Sequence, residues 1–297
     1  MKTISSRENP DYKMLLRTAA GRREPGERSG DTLRIALEGV HLCQSWLEQV
    51  GQPELAFFDA GRAGTGDIDG APHAGFSGAA PVAAPQAAPT ELDTLLRAVE
   101  PTRLRLCTPA LLRAASQVAH GQGVIFVGRA PRPTPPPRIA TTCLWLDRVQ
   151  DPGNFGTLLR TAAAAGIGHV YASKGCVAAW SPKVLRSAQG AHFALRIFED
   201  QDLAALRARL DIPLVVTALE DAVTLHDTRL PAAAAWVFGN EGQGVAPALM
   251  AQADLRVRIA QSPAVESLNV AVAAGICLFE QRRQISTAGD APGRSRS

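Results

Sequence analysis

The stretch "GRAPRPTPPPRIA", Gly128 to Ala140, places five prolines within thirteen residues. Proline locks φ and has no N–H to donate. Such a run neither continues a helix nor enters a sheet interior, and it favours extended polyproline II. Two folded bodies are therefore expected: residues 1–128, a linker over 129–139, and a second body over 140–285. At 297 residues and 46% apolar content, the chain can give each body a core of its own.

Beyond the linker, strand and helix patterns alternate. "TTCLWLDRV", "HVYAS", "FALRIF", "IPLVVTALE", "AAAWVFG" and "LRVRIA" read as strands. Asn154 to Ala165, "SPKVLRSAQGA", "QDLAALRARL", "APALMAQA" and a last segment from Ser267 towards Arg283 read as helices. Ser181 is placed as an N-cap, with Pro182 at the first helical position. This alternation implies an α/β fold with a mainly parallel sheet, whose ligand sites lie beyond the carboxyl ends of the strands. Before the linker, "LAFFDA", "RLRLCT" and "GVIFVG" read as strands, and "LRIALEGVHLCQSWLEQV" and "PALLRAASQVAH" as helices. A Gly/Ala/Pro-rich insertion at about 60–90 has almost no large apolar residue to offset the entropy of ordering, and is expected to be flexible. The tail over 286–297, "STAGDAPGRSRS", is expected to be disordered for the same reason.

Composition narrows the function classes. No window approaches eighteen consecutive apolar residues and the first residues lack a signal-peptide pattern, so a cytoplasmic protein without a membrane span is expected. Five widely spaced cysteines, with no CxxC pair, fit reduced thiols. Six histidines form no HExxH-like cluster, so no metal is expected. Net charge is +3. Residues 1–34 hold eight cations against five anions, an excess equal to that of the whole chain. That is a weak pointer to nucleic acid, which a solvated helical face would explain as well.

Three loops carry the chemistry. In "DPGNFGTLLRTAAAAG", from Asp151, a Pro-Gly bend leads into Asn154 and an alanine-rich helix. At helical spacing Phe155, Leu158, Leu159, Ala162 and Ala165 share one stripe, and Arg160 falls opposite, near Thr157 and Ala164. Taken alone, such an arginine is a solvated surface group. In "VFGNEGQGV" an apolar strand ends at Gly239, and Gly239, Gly242 and Gly244 flank Asn240 and Glu241. Closely spaced glycines let backbone approach a ligand. Neither a P-loop ending nor a G-x-G-x-x-G pattern is present. In "IAQSPAVESLNVAVAAGICLFE" a strand ends near Ile259 and Ser267 is placed as the cap of an apolar helix, with Asn269 just inside it.

In order and spacing, these three stretches resemble the signature motifs of the SpoU (TrmH) RNA methyltransferases of the SPOUT superfamily. The resemblance covers roughly Ala140 to Gln284. "ISSRENPDYKMLL" and "ALEGVHLC" are similar to the opening of the ribosomal-protein-like substrate-binding domain often fused to that family. The resemblance implies a C-terminal SPOUT domain with a deep trefoil knot, a smaller N-terminal α/β domain that binds RNA, and a homodimer. It implies S-adenosylmethionine as cofactor, held largely by backbone at Gly239, Ile259 and Leu268, with Asn240 and Gly242 beside them. It further implies methyl transfer to a ribose 2′-hydroxyl of structured RNA, ribosomal more readily than transfer RNA. Arg160 is then the residue acting on the hydroxyl, with Asn154, Glu241, Ser267 and Asn269 around it. The sequence departs from the family at Ile259-Ala260-Gln261, where Ile-Pro-Met is frequent, and at Pro263, where glycine is common. Two other readings stand beside this one: an RNA-binding protein without catalysis, and a nucleotide-dependent oxidoreductase using "GNEGQG" as a phosphate loop.

Overall fold

A computed structural model describes residues 1–22, 33–62 and 90–289. The chain divides into two compact units between Ala130 and Pro131, inside the proline-rich stretch.

The first unit runs β1 (Lys2–Ile4), α1 (Pro10–Ala19), β2 (Arg34–Glu38), α2 (Val40–Gln49), β3 (Leu55–Asp59), α3 (Glu91–Ala98), β4 (Leu104–Cys107), α4 (Pro109–Ala115) and β5 (Val124–Arg129). Its sheet has the order β1-β4-β3-β5-β2; β4 pairs in parallel with β1 and β3, and β5 antiparallel with β2 and β3. Ile4, Tyr12, Leu15, Phe57, Leu112 and Ile125 meet in its core. The predicted helix "LRIALEGVHLCQSWLEQV" is in fact a strand and a helix. Gly39, at φ +105°, turns the chain between them, and β2 pairs with β5 along five residues. The helix predicted to continue to His120 stops at Ala115, because Ser116 takes up extended backbone. Most of the predicted insertion lies outside the described residues.

The second unit runs β6 (Cys143–Leu146), α5 (Pro152–Ala164), β7 (His169–Ser173), α6 (Pro182–Ala188), β8 (Arg196–Gln201), α7 (Leu203–Leu206), β9 (Leu214–Thr217), β10 (Val223–Thr224), β11 (Ala235–Phe238), α8 (Pro247–Met250), β12 (Leu255–Arg258) and α9 (Val270–Gly289). The seven-stranded sheet has the order β10-β12-β9-β11-β6-β7-β8, and every pairing is parallel. β6 and β11, at its centre, are buried at all four positions, as strands covered on both faces must be. Trp145, Tyr171, Phe198, Leu214, Val216 and Val237 fill one face. On the other, Trp236 Nε1 donates to Gln281 Oε1 of α9 at 2.8 Å.

Several boundaries differ from expectation. "FALRIF" starts in a 3-10 turn over Ala191–Ala194, and the strand begins at Arg196, where pairing with His169 begins. "QDLAALRARL" gives only one α-turn and a 3-10 turn, the latter starting at Arg207, which is tied to Asp254. Ser181 occupies the N-cap position of α6, but its buried hydroxyl makes no capping bond. The last helix starts three residues later than placed and runs on to Gly289, so Ser286–Gly289 of the predicted tail are helical.

Candidate active site

The helix that opens the first motif begins at Pro152, two residues ahead of the prediction, because Asp151 caps it. The Asp151 carboxylate accepts from the Asn154 N–H at 2.7 Å, with proline at the first helical position. An Asp-Pro pair before a helix is the signal that would have found this residue. The apolar stripe falls as expected. Phe155, Leu158, Leu159 and Ala162 are fully buried, and Ala165 is partly buried. Arg160 is exposed and has no hydrogen-bond or ion-pair partner among the described residues.

α9 runs beside α5 in the same direction. Asn269 meets Asn154 at one end, Gly275 faces Thr161 midway, and the Arg282 guanidinium reaches towards the Ala164 carbonyl at the other. Ser267 is not the cap of this helix. It is exposed in the loop, while Asn269 caps: its Oδ1 accepts from the N–H groups of Ala271 (2.9 Å) and Val272 (3.3 Å). Asparagine is among the strongest N-caps, and it is the last polar residue before the apolar run.

A polar relay ties the three motif loops together. Asn269 Nδ2 donates to Asn154 Oδ1 at 2.8 Å, and Asn154 Nδ2 donates to Glu241 Oε1 at 3.1 Å. Glu241 also accepts from the backbone N–H groups of Asp151 (3.1 Å) and Gln150 (3.3 Å). Partial burial pushes the Glu241 carboxyl up. The bonds from Asn154 and from backbone N–H groups outweigh it, and the group sits below its ordinary value. Its contribution to loop order is therefore present above the usual carboxylate pKa and is lost as pH falls through the lower, folded value. Asn240 Nδ2 donates to the Arg148 carbonyl at 2.8 Å, and its Oδ1 accepts from the N–H groups of Gly242 and Gln243, both at 3.0 Å. Asp147, buried and unremarked in the sequence, accepts from the Ala246 N–H at 2.8 Å.

Asn154 is the hinge of this relay. Asn154→Ala removes both side-chain bonds and leaves Glu241 and Asn269 short of a partner. A stability loss of about 1–2 kcal/mol is expected. A roughly tenfold slower rate of the chemistry at this site is expected as the first and second motifs drift apart. Thermal melting and single-turnover rates check both.

The glycine loop fits a ligand held by backbone. Asn240 and Gly244 exchange two backbone hydrogen bonds (3.0 and 2.9 Å) and close the loop on itself. A Cβ on Gly239 would lie 2.2 Å from the Gly244 carbonyl carbon, whereas one on Gly244 would meet nothing within 4 Å. One side of the loop is thus sealed by backbone, and the other is open. Ile259 follows the end of β12 and Leu268 precedes α9; both are half-buried apolar residues. Apolar surface beside polar backbone is what a planar nucleoside requires. Among the described residues no group of His, Cys, Asp and Glu side chains is placed to hold a metal ion.

Residues 141–279 match the SpoU rRNA Methylase family. The chain is 33% identical over 298 residues to an uncharacterised tRNA/rRNA methyltransferase of Synechocystis, covering 98% of this chain and 97% of that one. It is 38% identical over 153 residues to a 23S rRNA (guanosine(2553)-2′-O)-methyltransferase of Bacillus subtilis, covering 50% of this chain and 61% of the relative. A crystal structure of an RNA 2′-O ribose methyltransferase superposes with a TM-score of 0.71 at 26% identity, over 95% of this chain and 98% of the other. An AdoMet-bound rRNA methyltransferase from Sinorhizobium meliloti shares the fold, with a TM-score of 0.74 at 21% identity over 96% and 98% of the two chains. The ordered motifs, the parallel sheet and a relative matched along nearly its whole length agree: the chain belongs to the SpoU family of rRNA methylases.

Proposed function

We propose that the protein transfers a methyl group from S-adenosylmethionine to a ribose 2′-hydroxyl of ribosomal RNA. The observation that carries this reading is the relay Asn269–Asn154–Glu241, which gathers the three motif loops at one end of the sheet and leaves Arg160 unpaired nearby on α5. When bound, S-adenosylmethionine supplies a methyl group already activated by its sulfonium charge. Backbone at Gly239, Ile259 and Leu268 would hold the cofactor, with Asn240 and Gly242 shaping the glycine loop. The 2′-hydroxyl is a weak nucleophile until its proton is drawn away. A guanidinium offers donors and no acceptor, so Arg160 serves to orient the hydroxyl and stabilise developing alkoxide rather than to act as a base. Asn154, Glu241 and Asn269 fix the start of the helix that carries it. Ser267 is exposed in the loop two residues before Asn269. An inactive RNA-binding role would not need this relay. The Bacillus relative's 23S rRNA name favours ribosomal over transfer RNA as substrate.

The same reading brings a C-terminal segment threaded as a trefoil knot and a homodimer, in the cytoplasm. No helix among the described residues is long and apolar enough to cross a membrane. Val272 and Phe279, 51% and 47% exposed, share a face of α9 with the half-exposed Ile276. This unpartnered apolar stripe suits a second copy of the chain. Phe279→Asp is expected to shift sedimentation from dimer to monomer while the circular dichroism spectrum is retained. A dimer that persists would move the interface elsewhere.

The first unit is assigned RNA affinity, and the second cofactor binding. Calorimetry tests the whole reading. The full chain, and a chain beginning at Arg138, should both bind S-adenosylmethionine, but only the full chain should bind ribosomal RNA tightly at matched salt. No cofactor binding by the full chain would remove the assignment. Equal RNA affinity would remove the division of labour.

A further inference from the structure

Arg148 follows β6 and has no place in the motifs. It is one of four non-glycine residues among those described with positive φ, at +56°. A left-handed arginine persists only where its surroundings over-determine it, and such positions gather at functional sites. Here the surroundings are explicit. The Arg148 N–H donates to Ser173 Oγ at 2.9 Å, and its carbonyl accepts from Asn240 at 2.8 Å. The side chain turns back so that Nε and Nη2 each lie 3.2 Å from the Asp147 carboxylate. Nη1 donates to Gln243 Oε1 at 2.7 Å, and Nη2 lies 3.4 Å from the Gly244 carbonyl. Its stem lies against Gly175, where a Cβ would come to 3.4 Å.

The loop from Asn240 to Ala246 is therefore held at three points by one dipeptide. The Arg148 carbonyl holds Asn240, and the Asp147 carboxylate holds Ala246. Between them the outer edge at Gln243 and Gly244, exposed and glycine-rich, is held by the Arg148 guanidinium. Gln243 and Gly244 have few other restraints. Gln243 N–H and Gly244 N–H bond only within the loop, to Asn240.

We infer that Arg148 is a positioning residue, a clasp that keeps the glycine loop in its cofactor-binding shape before the cofactor arrives. The inference deepens the proposed function and rests on it. An ordered loop binds more tightly because the entropy of ordering has already been lost in the free protein. Arg148 keeps a strained backbone because its planar fork spans Asp147 and Gln243 together, which a lysine or glycine does not do.

Arg148→Gly separates clasp from fold, since it relieves the positive φ while removing the guanidinium. Amide hydrogen exchange in the cofactor-free protein should accelerate about tenfold at Gly242 to Gly244, with β6 and β11 unchanged. S-adenosylmethionine affinity by calorimetry should fall about tenfold. Gln243→Ala should give part of the same loss, and the double variant should be no worse than Arg148→Gly alone. Unchanged exchange at Gly242 to Gly244, acceleration spread equally over β6 and β11, or additive losses in the double variant would each overturn the clasp. If the wild-type protein bound no S-adenosylmethionine, the functional reading would fall, and the exchange experiment would still decide the clasp.

Discussion

Arg160→Ala lowers single-turnover methyl transfer by about a hundredfold or more, the usual scale for removing a group that stabilises developing charge. S-adenosylmethionine binding stays within roughly twofold, because Gly239, Ile259 and Leu268 lie on other loops. Stability changes by less than about 1 kcal/mol. Arg160 is exposed and has no partner among the described residues, and alanine is the better helix former. Arg160→Lys keeps the charge, loses the planar fork of donors, and is also badly impaired. Near-normal turnover in Arg160→Ala would return this side chain to a solvated surface role. Ser267 would then be the next group to test, since it too is exposed, two residues before Asn269.

Gly239→Ala is expected to abolish tight cofactor binding. The added methyl would lie 2.2 Å from the Gly244 carbonyl carbon and 2.3 Å from the Val245 nitrogen, so backbone must move rather than a flexible side chain. The Asn240–Gly244 bridge fixes those atoms, and the clash is relieved only by opening the loop. Overpacking of this kind costs about 3 kcal/mol. A displacement of the loop by about 1 Å is enough to reduce methyl transfer about a hundredfold. Calorimetry, melting and single-turnover rates of the variant check these effects. Wild-type affinity would show that the cofactor is held elsewhere.

The alternation of apolar strands with helices was legible in the sequence, because buried parallel strands such as "CLWL" and "AWVF" are continuous apolar runs. The ordered motifs made Asn154, Glu241 and Asn269 legible together, and the relay joins those three. What failed was local. Gly39 hides inside a stretch with helical composition, and only the φ of +105° shows that strand β2 precedes it. Ser267 and Asn269 are both capping residue types two positions apart; which one caps depends on where the tertiary contacts let α9 begin. Arg148 left no trace in the pattern. What sets it apart is a left-handed backbone and five partners, of which all but Asp147 are far away in sequence. Spacing rules report periodic faces, and they are silent on a side chain that folds back over a turn.

The most direct test of the central claim is to incubate the protein with S-adenosylmethionine carrying a labelled methyl group and ribosomal RNA that lacks its 2′-O-methyl groups, then hydrolyse the RNA in alkali. Methylation of a 2′-hydroxyl removes the group that attacks the adjacent phosphodiester. Label is expected in an alkali-resistant dinucleotide, at a single site, and none with Arg160→Ala over the same time. Label on a base within ordinary mononucleotides, or no transfer to ribosomal RNA by protein that binds the cofactor, would contradict the claim.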